Sequence, residues 1–581
     1  MYSNIHLSVG SLNKECLHDR TNHPSLGILS AYIVGDILGT VDSSGLINRD
    51  SNAARKHIFD LIRDSEDFSK ISLMPFVGSF SIIIILHDKV ELYSIVSCTS
   101  PTPYIFIKDG TVFVEFDENK LLQDYAYKFS SQSILNISLS HQLVVRYPTQ
   151  LFDLASLLRC PCGHITRISD GFSRVNYLCF LNNYSLEFTS SRLRNSLSSI
   201  LTLYSRHYKG NLGLLFSGGL DSSCLASSLA SSNIQLPYYH IDYKGDVSYR
   251  SSVAASISSF FGSPTSHIPR FSTSVDVPEI LRQCKAGLMT VPNPMYFGVP
   301  INASSVKNLP KYLITGQGAD SIYVIDGFAP PTESIGKHRV NQIISSAPDR
   351  LALCESYILE QLQYNETDID SSILSSPIFV DFVNKQCCDL LEHVDYKVYA
   401  PFMNSNSISS ERMKHIAKPV LALLRSYIKT SSNNVSITSV YRYIKWMRSL
   451  INCPQQDASA LLSQSVQRLT PYLEGPIVGL FFGYKLREIE SLSIKHELES
   501  LFHYHADESH RRLVEIAVSQ TPSHTTCGQK LFSSASNKDI NRIQSEALRS
   551  LAEDLKTSSR AQSLSPHIKD ATQLVRIAPF L

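Results

Sequence analysis

An apolar pentapeptide, Leu212-Gly213-Leu214-Leu215-Phe216, runs without a break into Ser217-Gly218-Gly219-Leu220-Asp221-Ser222-Ser223, and a helical stretch over 222–231 follows. A buried strand that turns through glycines straight into a helix is the opening half of a βαβ unit. Such units build a parallel sheet covered by helices. The flanking segments agree with this reading. A helical stretch over 190–208 precedes the strand, and a second strand over 236–243 and a helix over 248–261 come after it. From about residue 186 the pattern predicts an α/β fold with a parallel sheet. Beyond residue 340 it becomes mostly helical, ending in a stretch over 539–557.

Residues 1–185 have a different texture. Strand-like runs occupy 26–34, 80–86, 91–96 and 111–116, separated by turn signals such as His87-Asp88-Lys89 and Lys108-Asp109-Gly110. Several closely spaced strands predict a β-sandwich with flanking helices. At about 100–200 residues per domain, two large domains suit the length, and the change of texture divides them into 1–185 and 186–581.

Composition removes several classes. With 43% hydrophobic and 18% charged residues, the chain has the apolar material for a packed core and is not a charge-driven disordered protein. Its 53 Lys+Arg against 52 Asp+Glu lack the basic excess of a dedicated nucleic-acid binder. Lys14, Glu15 and Asp19 interrupt the first twenty residues, and no apolar signal region follows. The most apolar run, 80–86, is far short of the roughly 20 residues a membrane-spanning helix needs. The expectation is a cytoplasmic protein whose dispersed cysteines are small buried side chains. Cys160-Pro161-Cys162-Gly163-His164 lacks the second ligand pair of a zinc site and reads as a turn. Cys387-Cys388 reads as structural.

The chemistry concentrates at the strand–loop–helix junction. There the carboxyl edge of a sheet opens, and a helix N-terminus offers free N–H groups to an anion. Gly218 and Gly219 let the backbone approach phosphate oxygens without a Cβ between them. Ser217, Ser222 and Ser223 can add hydroxyl donors, and Asp221 can hold a magnesium ion against the phosphates. The Gly-Lys-Ser/Thr ending of a Walker A loop is missing.

This run resembles the pyrophosphate loop of the ATP-pyrophosphatase enzymes, which split ATP between its α and β phosphates to adenylate a substrate. A second segment, Leu313-Ile314-Thr315-Gly316-Gln317-Gly318-Ala319-Asp320, is similar to the Gly-x-Gly-x-Asp element of the asparagine-synthetase superfamily. The resemblance implies ATP and Mg²⁺ as cofactors. It places the nucleotide on Phe216, Ser217, Gly218, Gly219, Asp221, Ser222, Ser223, Ile241, Thr315 and Gly316, with Asp221 and Asp320 as metal ligands. Ser321 stands where amidotransferring asparagine synthetases carry Glu, which argues against an ordinary asparagine synthetase. Leu469-Thr470-Pro471-Tyr472-Leu473 resembles the family's Pro-Phe/Tyr-Leu element. Lys530, in Gln529-Lys530-Leu531-Phe532, matches the family's catalytic lysine, although the usual preceding Arg is absent. Lys445 and Lys485 are the competing lysines, both in helical patterns.

Phe76-Val77-Gly78-Ser79-Phe80-Ser81-Ile82 resembles a strand of class II glutaminase domains. Those domains use a terminal cysteine as nucleophile, and here Tyr2 follows Met1, so the expectation is a degenerate domain without glutamine hydrolysis. Superfamily members that lack the cysteine include β-lactam synthetases and the macrolactam-forming cyclases of lasso-peptide pathways. The chain looks most like the lasso cyclases, at Ser321 and at the 469–473 and 530–534 segments. That resemblance implies an ATP-dependent, AMP-forming amide ligase. Through an acyl-adenylate it would close an isopeptide ring between the N-terminal amine and an Asp or Glu side chain of a precursor peptide. A leader peptidase and a leader-recognition protein of the same pathway are the implied partners. A β-lactam or other small-molecule amide synthetase is the alternative, followed by a non-catalytic nucleotide-binding homologue.

Overall fold

The computed structural model describes residues 4–8, 16–89, 91–99, 103–108, 111–116, 157–169, 174–179, 190–217, 220–241, 265–268, 306, 308–319, 446, 466–482, 549, 553, 556–557 and 562. It is a mixed α/β structure with three sheets. The sequence-predicted helix over 248–261 lies outside the described residues, as do most of 539–557 and Cys387-Cys388.

The N-terminal strands are β1 (Asn4–Ser8), β2 (Cys16–His23), β3 (Gly27–Val41) and β4 (Ile47–Arg49). After helix α1 (Ser51–Asp64) come β5 (Phe76–Leu86), β6 (Glu91–Val96), β7 (Tyr104–Lys108) and β8 (Thr111–Glu115). Strands β9 (Leu157–Arg159), β10 (His164–Ile168) and β11 (Arg174–Leu178) follow. One sheet has the order β11-β10-β6-β5-β3-β2, all antiparallel, with β4 also on β3. The other has the order β1-β8-β7-β9. Val34, Ile83, Ile85, Leu92 and Val96 of the first sheet join Ile105, Val112 and Val114 of the second in one buried cluster. The pleat turns Phe80, Ile82 and Ile84 to the opposite face of β5, and they are buried there too. A strand buried on both faces needs a continuous apolar run, which is what 82–86 supplies.

Helix α1 packs along β3 and β2 through Ala54, Ile58 and Ile62. Asp50 starts it by accepting a hydrogen bond from the Ala53 N–H at 2.8 Å. The Cys160–His164 pattern is a turn into β10. His164 is buried and donates Nδ1–H to the Cys162 carbonyl at 2.8 Å, while Cys160 belongs to the apolar cluster.

Helix α2 (Ser190–His207) leads into β12 (Leu212–Leu215), helix α3 (Leu220–Ser231) and β13 (Tyr238–Ile241). β14 (Thr265–Ile268), β15 (Tyr312–Thr315), β16 (Gln467–Leu469) and helix α4 (Gly475–Phe482) complete the described elements, with a 3-10 turn at Pro471–Leu473. The third sheet is wholly parallel, in the order β14-β13-β12-β15-β16. Helix α3 carries the crossover from β12 to β13. Its end is set by Asn233 at φ 53°, with Asn233 N–H donating to Ala230 and Ile234 N–H to Leu229. That is a Schellman stop with asparagine in the left-handed position. The sequence-predicted start of this helix, 222, comes two residues late, since α3 begins at Leu220. Among the described residues no helix is long and apolar enough to cross a membrane.

The segment after β16 touches both halves of the described structure. Gly475 lies so close to β5 and its approach that a Cβ would stand 2.5 Å from the Leu73 carbonyl oxygen and 2.7 Å from that of Phe76. Glu474, fully buried beside it, accepts the Gly78 N–H from β5 at 2.9 Å on Oε2 and the Tyr204 hydroxyl from α2 on Oε1. Burial pushes the Glu474 carboxyl up to about 7, against the lowering pull of Tyr204 and Gly78. Cys98, Tyr204 and Tyr208 are titratable groups around it, and burial raises all three, so each stays neutral.

The folded state therefore holds this proton more tightly than the unfolded chain, whose carboxyl has the ordinary value of 4.5. The resulting stability is fully present below that ordinary value and is lost as the pH rises through about 7. It amounts to on the order of 3 kcal/mol. Glu474→Gln keeps the shape without the titration, so its unfolding free energy should lack this fall between about pH 5 and 8. Chemical denaturation across that range checks it; parallel profiles for wild type and variant would show that Glu474 does not titrate there.

Candidate functional site

In the parallel sheet the strand order reverses between β12 and β15. From β12 the chain leaves toward β13 on one side, and β15 and β16 lie on the other. The loops leaving the carboxyl ends of two such strands diverge to opposite faces and open a crevice between them. The Ser217–Ser223 run leaves β12 and ends in the first turn of α3, and the turn after β15 is Gly316-Gln317-Gly318-Ala319. The two segments singled out in the sequence, about a hundred residues apart, therefore emerge side by side.

They also touch. A Cβ at Gly316 would stand 3.0 Å from the Asp221 Cβ and 3.0 Å from the Ser222 N. Glycine at 316 lets the end of β15 lie directly against the first turn of α3. Within the first loop, the Ser222 hydroxyl accepts the Ser217 N–H at 3.3 Å and lies 3.0 Å from the Ser217 hydroxyl, tying the strand end to the helix start. Thr315 is buried, and its hydroxyl accepts the Gln317 N–H at 3.3 Å, which shapes the second turn.

The other sequence-predicted residues fall around this junction. Ser217 is exposed and Asp221 partly so, whereas Ser222 and Ser223 are buried. Phe216 packs its ring in the core against Tyr238, leaving its main chain at the loop. Ile241 closes β13, the strand beside β12. Gly218, Gly219, Asp320 and Lys530 lie outside the described residues, as do the competing Lys445 and Lys485.

Two further residues act at the junction: His240, which was not singled out in the sequence, and Tyr472, which was named there only as part of the 469–473 element. His240, buried on β13, donates Nδ1–H to the Phe216 carbonyl at 2.8 Å and so holds the last residue before the loop. Tyr472, fully buried, donates its hydroxyl to the Asp221 carbonyl at 3.0 Å. Its neighbour Leu473 lies against Gly318 in the second turn. For His240 the one available signal was a polar tip in an otherwise apolar strand, whereas Tyr472 also had the 469–473 element.

Compared with known proteins, the chain matches no family model and no curated protein. The chemistry of the junction is read from its own residues.

The first turn of α3 has main-chain N–H groups without helical acceptors and carries the positive end of the helix dipole. Beside it stand the exposed Ser217 and the partly exposed Asp221, and Gly316 lets the end of β15 lie against that turn. This donor set fits a phosphate group, and the carboxylate of Asp221 fits a magnesium ion bound to it.

Closeness at Gly316 is directly testable. Gly316→Ala should force β15 and α3 apart by a few tenths of an ångström and destabilise the protein by roughly 1–3 kcal/mol, as overpacking does. Denaturant unfolding measures the change; an unaltered midpoint would mean there is room between the loops for a methyl group.

Proposed function

We propose that this chain is an ATP- and Mg²⁺-dependent amide ligase that closes an isopeptide macrolactam ring in a precursor peptide, as lasso-peptide cyclases do. The observation that carries the reading is the meeting of the Ser217–Ser223 loop with the Gly316 turn at the reversal point of a parallel sheet. In this reading residues 1–185 are a degenerate class II glutaminase-like β-sandwich and residues 186–581 an asparagine-synthetase-like domain. The protein works in the cytoplasm with a leader peptidase and a leader-recognition protein, and takes no nucleic acid.

Each residue has a role that follows from its chemistry. The first turn of α3, Ser217 and the glycines at 218 and 219 bind phosphate oxygens through N–H and hydroxyl groups. Asp221 and Asp320 hold magnesium, which supplies charge neutralisation where negative charge builds on the departing pyrophosphate. Lys530 brings an ammonium to the charge that develops at the α-phosphate and later at the amide-forming carbon. Ile241, Thr315 and Gly316 line the nucleotide's place. Substrate activation joins the peptide's side-chain carboxylate oxygen to the α-phosphorus and releases pyrophosphate. The peptide's N-terminal amine then attacks the activated carbonyl, AMP departs, and the amine gives up its proton. Holding the peptide folded makes ring closure effectively unimolecular.

The test is incubation with MgATP and a leader-free precursor peptide. AMP and pyrophosphate should appear in step with a peptide product one water lighter. Release of ADP and phosphate would reject adenylation, and adenylation of a small carboxylic acid in place of the peptide would favour a small-molecule amide synthetase. Asp221→Ala and Asp320→Ala should each lose on the order of several kcal/mol of transition-state stabilisation, measured as a fall in kcat/KM.

A further inference from the structure

Tyr472 and Glu474 lie two residues apart in a segment that is apolar apart from them: Pro471-Tyr472-Leu473-Glu474-Gly475-Pro476-Ile477-Val478. They bond in different directions. Tyr472 reaches the Asp221 carbonyl at 3.0 Å, at the start of α3. Glu474 reaches Gly78 of β5 and Tyr204 of α2. Between them Leu473 bears on Gly318, in the turn that faces the same loop. Short-range turns leave the segment little slack, since Leu473 N–H donates to Thr470 and Glu474 N–H to Pro471. The Glu474 carbonyl then accepts the N–H groups of Ile477 and Val478, which starts α4. Every side chain from 471 to 474 is buried, so a displacement at one end has no solvent-filled space to relax into.

From this geometry we propose that residues 470–475 are a coupling strap: Tyr472 is a positioning residue for the nucleotide site, and Glu474 anchors it to the N-terminal sheet. The inference rests on the nucleotide reading above. It gives that sheet a task that requires no chemistry of its own, which is to hold the strap that sets the Asp221 main chain. Asp221 presents its carboxylate from the same residue whose carbonyl the Tyr472 hydroxyl holds, so loss of that bond loosens the metal ligand without touching its side chain. The anchor has the properties the task needs. A buried carboxylate that accepts two donors fixes direction more tightly than apolar packing does, because leaving either donor unmade is costly.

The experiment measures MgATP affinity by calorimetry, and unfolding midpoints, on the full chain at about pH 8. The proteins are wild type, Tyr472→Phe, Glu474→Gln and the double variant. Tyr472→Phe should weaken MgATP binding about fivefold, the loss expected for one hydrogen bond. Glu474→Gln should weaken it in the same direction, although Glu474 has no direct bond to the loop. The double variant should be weaker by less than the product of the two single effects, because both act through one strap. If Glu474→Gln does not fold, Tyr204→Phe removes one bond of the same anchor and replaces it in the cycle. A purely structural role would lower the unfolding midpoint and leave the affinity of the folded protein unchanged, which overturns the coupling. Effects that multiply independently also overturn it. Wild type that fails to bind MgATP rejects the nucleotide reading itself, and that outcome is distinct from wild-type binding with unaltered variants.

Discussion

Glu474 is a carboxyl group removed from water, and such a group is tolerated only where its oxygens have partners. It finds them on two elements distant in sequence, Gly78 on β5 and Tyr204 on α2. Around it the packing is close enough that Gly475 has no room for a side chain. The antiparallel sheet, helix α2 and the start of α4 are therefore joined at a point where small shifts are expensive. Burial raises the carboxyl while its two donors lower it.

The junction of the parallel sheet depends on a different constraint. Two strands whose connections leave in opposite directions must part their loops, and the gap opens at their carboxyl ends. At this gap the chain places a serine-rich turn, a helix N-terminus and a glycine that admits close contact. His240 and Tyr472 then hold the main chain of the turn from both sides, at Phe216 and Asp221. Neither takes part in the turn's own chemistry. They limit how far its main chain can move.

Local patterning made much of the fold legible. The apolar runs at 80–86 and 212–216 fall on central strands, Phe76–Leu86 and Leu212–Leu215, and the helical stretch at 190–208 became α2 almost to the residue. Other boundaries moved. The strand read over 236–243 begins later, at Tyr238, where pairing with β12 and β14 starts, and residues 242–243 lie outside the described residues. The strand read over 26–34 lengthened to Gly27–Val41 because β5 pairs along nearly all of it. Partners, which no local window contains, decide where pairing stops.

The candidate site divides along the same line. Residue order alone determined that a glycine-serine turn joins a buried strand to a helix, since turn chemistry and apolar periodicity act over a few neighbours. The pairing of β12 with β15 decided that this turn meets Gly316. Only the tertiary structure decided what Tyr472 and Glu474 hold, because hydrogen bonds spanning 251 and 396 residues leave no periodic trace in the chain. Tyr472 was visible only as part of the 469–473 element and Glu474 only as a charge inside an apolar run, and the burial that gives either its meaning exists only once the chain has folded.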